Sequence, residues 1–220
     1  MIYLYSKLTD ATVLTSVLLA ILLIINFNRL SKPLKIVGIY LIAGASIDIV
    51  ASALSKRYES NLVFLHLFTL LEIVIISYLF KVLFISLKSK FNVTYIAIPA
   101  TAFVIINTCF IQSIDTYNTY SSTLISLIIL AFCIQFFVSI LGIHKKDYQF
   151  VTLKWFVICL FFFHSISLIV MLFGNLFQEM SLDGQAYVWS FRAVVIFATK
   201  IILSYWFIKL FYSKNELKIT

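Results

Sequence analysis

Apolar residues run along this chain in seven blocks, each closed by a short polar interval. The blocks cover approximately 9–28, 35–55, 61–84, 94–112, 120–143, 151–174 and 185–211. A helix needs about 20 apolar residues to cross a bilayer. Each block therefore predicts one membrane-spanning helix. The fourth is the weakest, being short and holding Pro99, Thr101, Asn107 and Thr108. It carries no charge, and proline is tolerated where the bundle satisfies the freed backbone groups. The expectation is an all-α polytopic membrane protein: seven transmembrane helices in one bundle, forming a single domain over residues 1–220.

The polar intervals alternate in charge. Arg29, Lys32 and Lys35 follow the first block, and Lys81, Lys88 and Lys90 close the third. Lys145, Lys146 and Lys154 separate the fifth from the sixth, and Lys209, Lys214 and Lys218 follow the seventh. The other side carries only Lys7, Lys56 and Arg57. Basic residues concentrate in cytoplasmic loops. The expected orientation therefore has the N-terminus outside and the C-terminus in the cytoplasm. Only Lys7 precedes the first apolar block and no small-residue cleavage site follows it, so that block reads as a retained helix rather than a signal peptide.

Composition agrees with this. The chain is 62% hydrophobic and 12% charged, against about 45–50% and about 25% in soluble domains. Five glycines and two prolines leave too few turn formers for a β architecture. The net charge of +8 does not gather into one patch, which excludes a nucleic-acid surface. Expected partners are instead the lipid bilayer and a cytoplasmic or membrane protein meeting the basic loops. No interval is long enough for a soluble catalytic domain. Cys109, Cys133 and Cys159 each lie in a different block without a partner at redox or metal spacing, and read as small packed hydrophobes.

Six ionisable residues interrupt the apolar blocks: Asp48, His66, Glu72, His164, Arg192 and Lys200. A charge in hydrocarbon costs about 2.5–3.5 kcal/mol on insertion scales, so such groups persist where they pair, face water or act. The expected topology puts all six between the midplane and the outer face. By height, Asp48 matches Arg192 and Glu72 matches Lys200. Two readings follow. One is a pair of salt bridges that fix helix packing in a closed, dry cluster. The other is an outward-opening cavity for ligand binding or proton relay. Buried ion pairs add little net stability, which favours function. His66, Thr69 and Glu72 fan over about 120° of the third span. No HExxH pattern accompanies them, so no metal is expected.

Gly44, Ala45, Ser46, Ala51, Ser52 and Ala53 suit close helix approach in the second span. Tyr120, Tyr187 and Trp189 at one side, with Trp155, Trp206 and Tyr212 at the other, read as interfacial belts. The phenylalanines read as packed or lipid-facing, and His144 as a solvated loop residue.

Two resemblances bear on these residues. The stretch from Asn61 through His66 to Glu72 resembles a pattern in a family of small seven-helix inner-membrane proteins of Bacteroidota. The span from Trp189 through Trp206 has a similar look. The resemblance implies seven spans and points to His66 and Glu72, but implies no reaction. The chain also resembles microbial rhodopsins in topology, with Lys200 midway along the last span. That resemblance implies retinal on Lys200 and Glu72 as its counter-ion. The chain departs from that pattern at Ile196, where rhodopsins usually carry an acid. Phe162, Phe163 and His164 stand where they carry a Trp-Pro cage. No other cofactor is expected.

The functional expectation is a ligand-, lipid- or proton-responsive sensory or binding protein of a bacterial inner membrane. Glu72, Lys200, Arg192, Asp48, His66 and His164 are its candidate site. The alternatives are a lipid-modifying enzyme using Glu72 and His66 as acid–base partners, or a proton or small-solute transporter.

Overall fold

A computed structural model describes residues 2–55, 62–114, 116–143, 147–173 and 180–216. Lys56, Arg57, Asn61, His144, Lys145, Lys146 and Lys218 lie outside the described residues. The described chain forms seven helices long and apolar enough to cross a membrane. They are α1 (Ile2–Asn26), α2 (Lys32–Ser55), α3 (Leu62–Ser86), α4 (Thr94–Ile106), α5 (Thr119–Ser139), α6 (Tyr148–Leu172) and α7 (Leu182–Glu216). Hydrocarbon offers the backbone no hydrogen-bond partners, so each span satisfies its own groups as a helix.

Several boundaries differ from the apolar blocks by a few residues. α1 begins at Ile2, well before the first block, because Ile2, Tyr3, Leu4 and Tyr5 carry the apolar run past Ser6 and Lys7. Thr9 and Thr12 donate to the carbonyls of Tyr5 and Leu8 at 2.9 and 2.8 Å. α5 stops at Ser139 because the chain turns through Gly142, whose φ of +80° suits a residue without Cβ. α4 remains helical through Pro99 and ends in a π-helical turn, Asn107–Ile111.

α1, α2, α3, α5, α6 and α7 close into a ring in that order, with α7 packing back on α1. α4 lies outside the ring against α3 and α5, which also touch each other directly. Sequence neighbours run antiparallel. Thr152 of α6 meets the Trp206 carbonyl of α7 at 3.5 Å, while Cys159 meets that of Thr199 at 3.9 Å.

The helices carry two stripes rather than one polar face. On α1, Thr12, Ser16, Leu19 and Leu23 are buried, while Leu14, Leu18, Ile21 and Ile25 are exposed. Both sets follow helical spacing. The exposed stripe is the surface that hydrocarbon covers in a bilayer.

The two ends of the bundle differ in content. Toward the end where α1 finishes, Phe80 of α3 packs against its neighbour Phe84 and against Phe132 and Phe136 of α5. Phe91 joins them at 5.4 Å from Phe84. Trp155 and Trp206 stack at 5.5 Å nearby, and Lys209 lies 5.1 Å over Trp206. The half where α1 starts holds the polar side chains instead. Phenylalanines therefore fill both roles the sequence allows, since Phe110, Phe162 and Phe191 face outward.

Candidate functional site

Lys200 and Asp48 form an ion pair, with Nζ 2.6 Å from Oδ2. Ser16 of α1 completes the group. It accepts a hydrogen bond from Lys200, and Asp48 Oδ2 and the Thr12 carbonyl stand 3.0 and 2.8 Å from its hydroxyl. Three helices, α1, α2 and α7, meet at this group.

Glu72 has different partners from those expected by height. Tyr40 of α2 donates its phenol to Glu72 Oε1 at 2.7 Å. His164 of α6 places Nε2 3.6 Å from the same oxygen. The other ring nitrogen, Nδ1, lies 3.2 Å from the Ser126 hydroxyl of α5. Tyr40, Glu72, His164 and Ser126 thus form a polar line across four helices, and His164 is almost fully buried.

Both height-based pairings are therefore corrected. Asp48 takes Lys200, and Glu72 takes Tyr40 and His164. The physical reason is rotation about α7. Eight residues separate Arg192 from Lys200, which turns their side chains about 80° apart. Lys200 faces α1 and α2, whereas Arg192 faces α6.

Arg192 has aromatic partners in place of a carboxylate. Its guanidinium carbon lies 5.5 Å from the Phe163 ring centre and 5.8 Å from that of Trp189. Trp189 in turn stacks on Tyr117 at 5.4 Å. Trp189 thus caps the arginine. Among the described residues, no carboxylate reaches ion-pair distance of Arg192, and its buried Nε has no hydrogen-bond partner. Cation–π contact offsets part of the desolvation, by about 0.5–2 kcal/mol. It supplies no in-line acceptor for the N–H groups.

Two cavities adjoin this arginine. The larger, about 200 Å³, lies between α2 and α3 on one side and α6 and α7 on the other. Asp48, Lys200 and Tyr40 line it together with an apolar wall that includes Phe64, Phe68 and Ile196. The smaller, about 50 Å³, is lined by Glu72, His164, Ser126, Ser122 and Tyr117. Arg192, Phe163, Phe68 and Leu65 line both and form the wall between them. Gly44 borders the larger cavity opposite Phe68, so the small-residue stripe of α2 serves space as well as packing. The charged groups are thus paired at Asp48 and Lys200, while Arg192 adjoins both cavities without a carboxylate at ion-pair distance among the described residues.

His66 is drawn away from this group. Its Nδ1 lies 3.3 Å from the Thr108 hydroxyl and its Nε2 3.1 Å from the Thr116 carbonyl. It pins the turn between α4 and α5. The same turn holds a network around the fully buried Asn107, whose Nδ2 donates to Ser121 at 2.9 Å and Gln112 at 3.2 Å. Gln112 Nε2 reaches the Tyr117 carbonyl at 2.6 Å. Tyr117 sits in this turn, where burial raises its phenol above the ordinary tyrosine pKa. The expected acid–base partnership of Glu72 with His66 is thus replaced by Glu72 with His164.

Asp48, not Glu72, is the carboxylate beside the Lys200 amine, and the cation Arg192 lines the same cavity. Among the described residues, no three of His, Cys, Asp and Glu converge as a metal site would require.

No protein-family model, curated protein or solved structure matches the chain. The site therefore rests on its own geometry. Sequence reasoning missed Ser16, Tyr40, Ser126 and Trp189 as members. Each is a common residue of an apolar span, and only the closing of the ring brings them to the charged groups.

Proposed function

We propose that the chain is a binding or sensory protein of a bacterial inner membrane that holds a small ligand in the paired cavities. The observation that carries this is the position of Arg192. It forms the wall between two cavities while its guanidinium lacks an acidic partner among the described residues. A cation left in that state favours an incoming group that accepts its hydrogen bonds.

The distribution of basic residues supports an outside N-terminus and a cytoplasmic C-terminus. The cavities then lie in the outer half of the bundle. The basic cytoplasmic loops meet anionic lipid or a protein partner. A ligand on Arg192 changes the field at Glu72, whose contacts Tyr40 and His164 belong to α2 and α6. Charge at Glu72 then biases how α2, α3 and α6 pack, because its hydrogen bond from Tyr40 and its contact with His164 join those helices.

Native mass spectrometry of the protein purified in mild detergent tests this reading. A bound small molecule is expected. It should be lost in Gly44→Leu, which fills the larger cavity. A bare mass that persists across mild detergents overturns the reading. The same preparation tests the coupling, since ligand-dependent stability should differ between the parent and Glu72→Gln.

The line Tyr40–Glu72–His164–Ser126 favours a second reading, proton relay as part of transport. Each member can carry a proton or a hydrogen bond, and neighbours lie 2.7–3.6 Å apart, the step from His164 to Glu72 being wider than a hydrogen bond. Acidification of the lumen of loaded proteoliposomes under an imposed potential, abolished in Glu72→Gln, would support relay over binding.

A further inference from the structure

The reading above leaves the chemical class of the ligand open, and the larger cavity narrows it. We propose that this cavity takes a small apolar molecule carrying one carboxylate. Its anionic end meets Arg192, and its body lies against Phe64, Phe68 and Phe163. The inference rests on the proposal that the cavities are a ligand site.

Charge matching comes first. Three charged side chains line the larger cavity: Asp48, Arg192 and Lys200. Asp48 and Lys200 neutralise each other at 2.6 Å, with Ser16 completing their hydrogen bonds. Arg192 is left as the net charge of the lining. Glu72 and Asp48 attract the guanidinium from a distance but give it no ion-pair contact or hydrogen bond. The Glu72 carboxylate lies beyond ion-pair distance, on the smaller cavity only, and is held by Tyr40 and His164.

The shape of the cation comes next. Guanidinium presents paired N–H donors in a plane, matching the two oxygens of a carboxylate. Phe163 and Trp189 stabilise the charge without using those donors. A neutral guest would leave them as they are, and a cationic guest would be repelled.

Size and lining fix the rest. A dry apolar cavity of about 150 Å³ admits benzene. The larger cavity, at about 200 Å³, therefore holds one ring or an alkyl group of similar bulk. That excludes a two-chain lipid as an enclosed guest. Much of the remaining lining is apolar, including Leu41, Ile47, Phe64 and Leu160, with Tyr40, Cys159 and Thr199 its other residues bearing polar atoms.

Trp189 is a built-in reporter, being 5.8 Å from the arginine. The test uses full-length protein carrying Trp155→Phe and Trp206→Phe, so that Trp189 is its sole tryptophan. 3-Phenylpropionate and its neutral isostere 3-phenylpropanol are titrated in mild detergent. A saturable change in Trp189 emission is expected, with the acid binding at least about tenfold tighter than the alcohol. Arg192→Gln should reduce the acid to the affinity of the alcohol. Arg192→Lys, which keeps charge where Gln impairs folding, should fall between. Lys200→Met, which leaves Asp48 as an unpaired anion in the same lining, should weaken the acid less than Arg192→Gln does.

Equal binding of acid and alcohol overturns the carboxylate class. So does a loss that follows Lys200 and spares Arg192. No response to either probe, while native mass spectrometry still finds a bound molecule, overturns the class and leaves the ligand-site reading standing. No response and no bound molecule overturns both.

Discussion

Lys200 reaches Asp48 at 2.6 Å and thereby ties α7 to α2, with Ser16 of α1 bonded to both partners. The pair is only partly enclosed, its side chains being 17% and 36% exposed within the protein. Its worth should lie between an exposed pair, about 0–1 kcal/mol, and a fully buried one, where removing one partner costs about 3–5 kcal/mol. Asp48→Asn is expected to destabilise by about 1–3 kcal/mol. Adding Lys200→Met should recover part of that loss. A double-mutant cycle on thermal unfolding in detergent measures this, and additive effects would show that the two side chains do not interact.

Glu72 depends on Tyr40 for its closest hydrogen bond. Tyr40→Phe keeps the ring contact with Phe156 but removes the donor. A hydrogen bond to a charged group is worth about 1.5–3 kcal/mol. Tyr40→Phe should therefore destabilise by an amount in that range. Glu72→Gln, which still accepts from Tyr40, should cost less than Tyr40→Phe. The reverse order in denaturation would mean that the carboxylate's charge, not its hydrogen bond, holds α2 to α3.

His66 should act locally. His66→Ala removes the contacts to Thr108 and the Thr116 carbonyl. Hydrogen exchange read by mass spectrometry should rise over 112–119 and stay unchanged around Asp48 and Lys200. Binding of a guest in the larger cavity should be little affected. Faster exchange spread over α2 and α7 would place His66 in the charged group after all.

Gly44 gives a size series. A Cβ there would stand 3.7 Å from the Phe68 ring, an ordinary contact. Gly44→Ala should be neutral or stabilise by up to about 1 kcal/mol through helix propensity. Gly44→Leu should fold and lose the guest. A strongly destabilised Gly44→Ala would mean that α2 and α3 are closer there than the cavity implies.

How much of this was legible in the sequence follows from what a one-dimensional pattern encodes. Block length and hydropathy fixed the count of spans, because hydrocarbon thickness sets the helix length directly. The cost of intramembrane charge marked Asp48, Glu72, His164, Arg192 and Lys200 as the residues to watch. Their pairing was not legible. Depth along a span says nothing of the direction a side chain faces, and Arg192 and Lys200 point to different neighbours. Tilt and the long lysine stem blur depth as well. His66 shares its helix with Glu72 and shares none of its partners. Ser16 and Tyr40 carry no signal of their own, since serine and tyrosine in an apolar span are unremarkable until a charge faces them.

The turn between α4 and α5 is pinned on either side of Tyr117. His66 holds the Thr116 carbonyl, and Gln112 holds that of Tyr117 itself. The ring that stacks on Trp189 is thereby fixed before anything enters. A guest of the proposed kind would not need to order that turn on reaching Arg192, so little of its binding energy would be spent on closing the site. The aromatic cap works as a preorganised ceiling rather than a lid. Discrimination among guests then falls to the fit against a rigid surface, and exchange to the breathing of the helices around it.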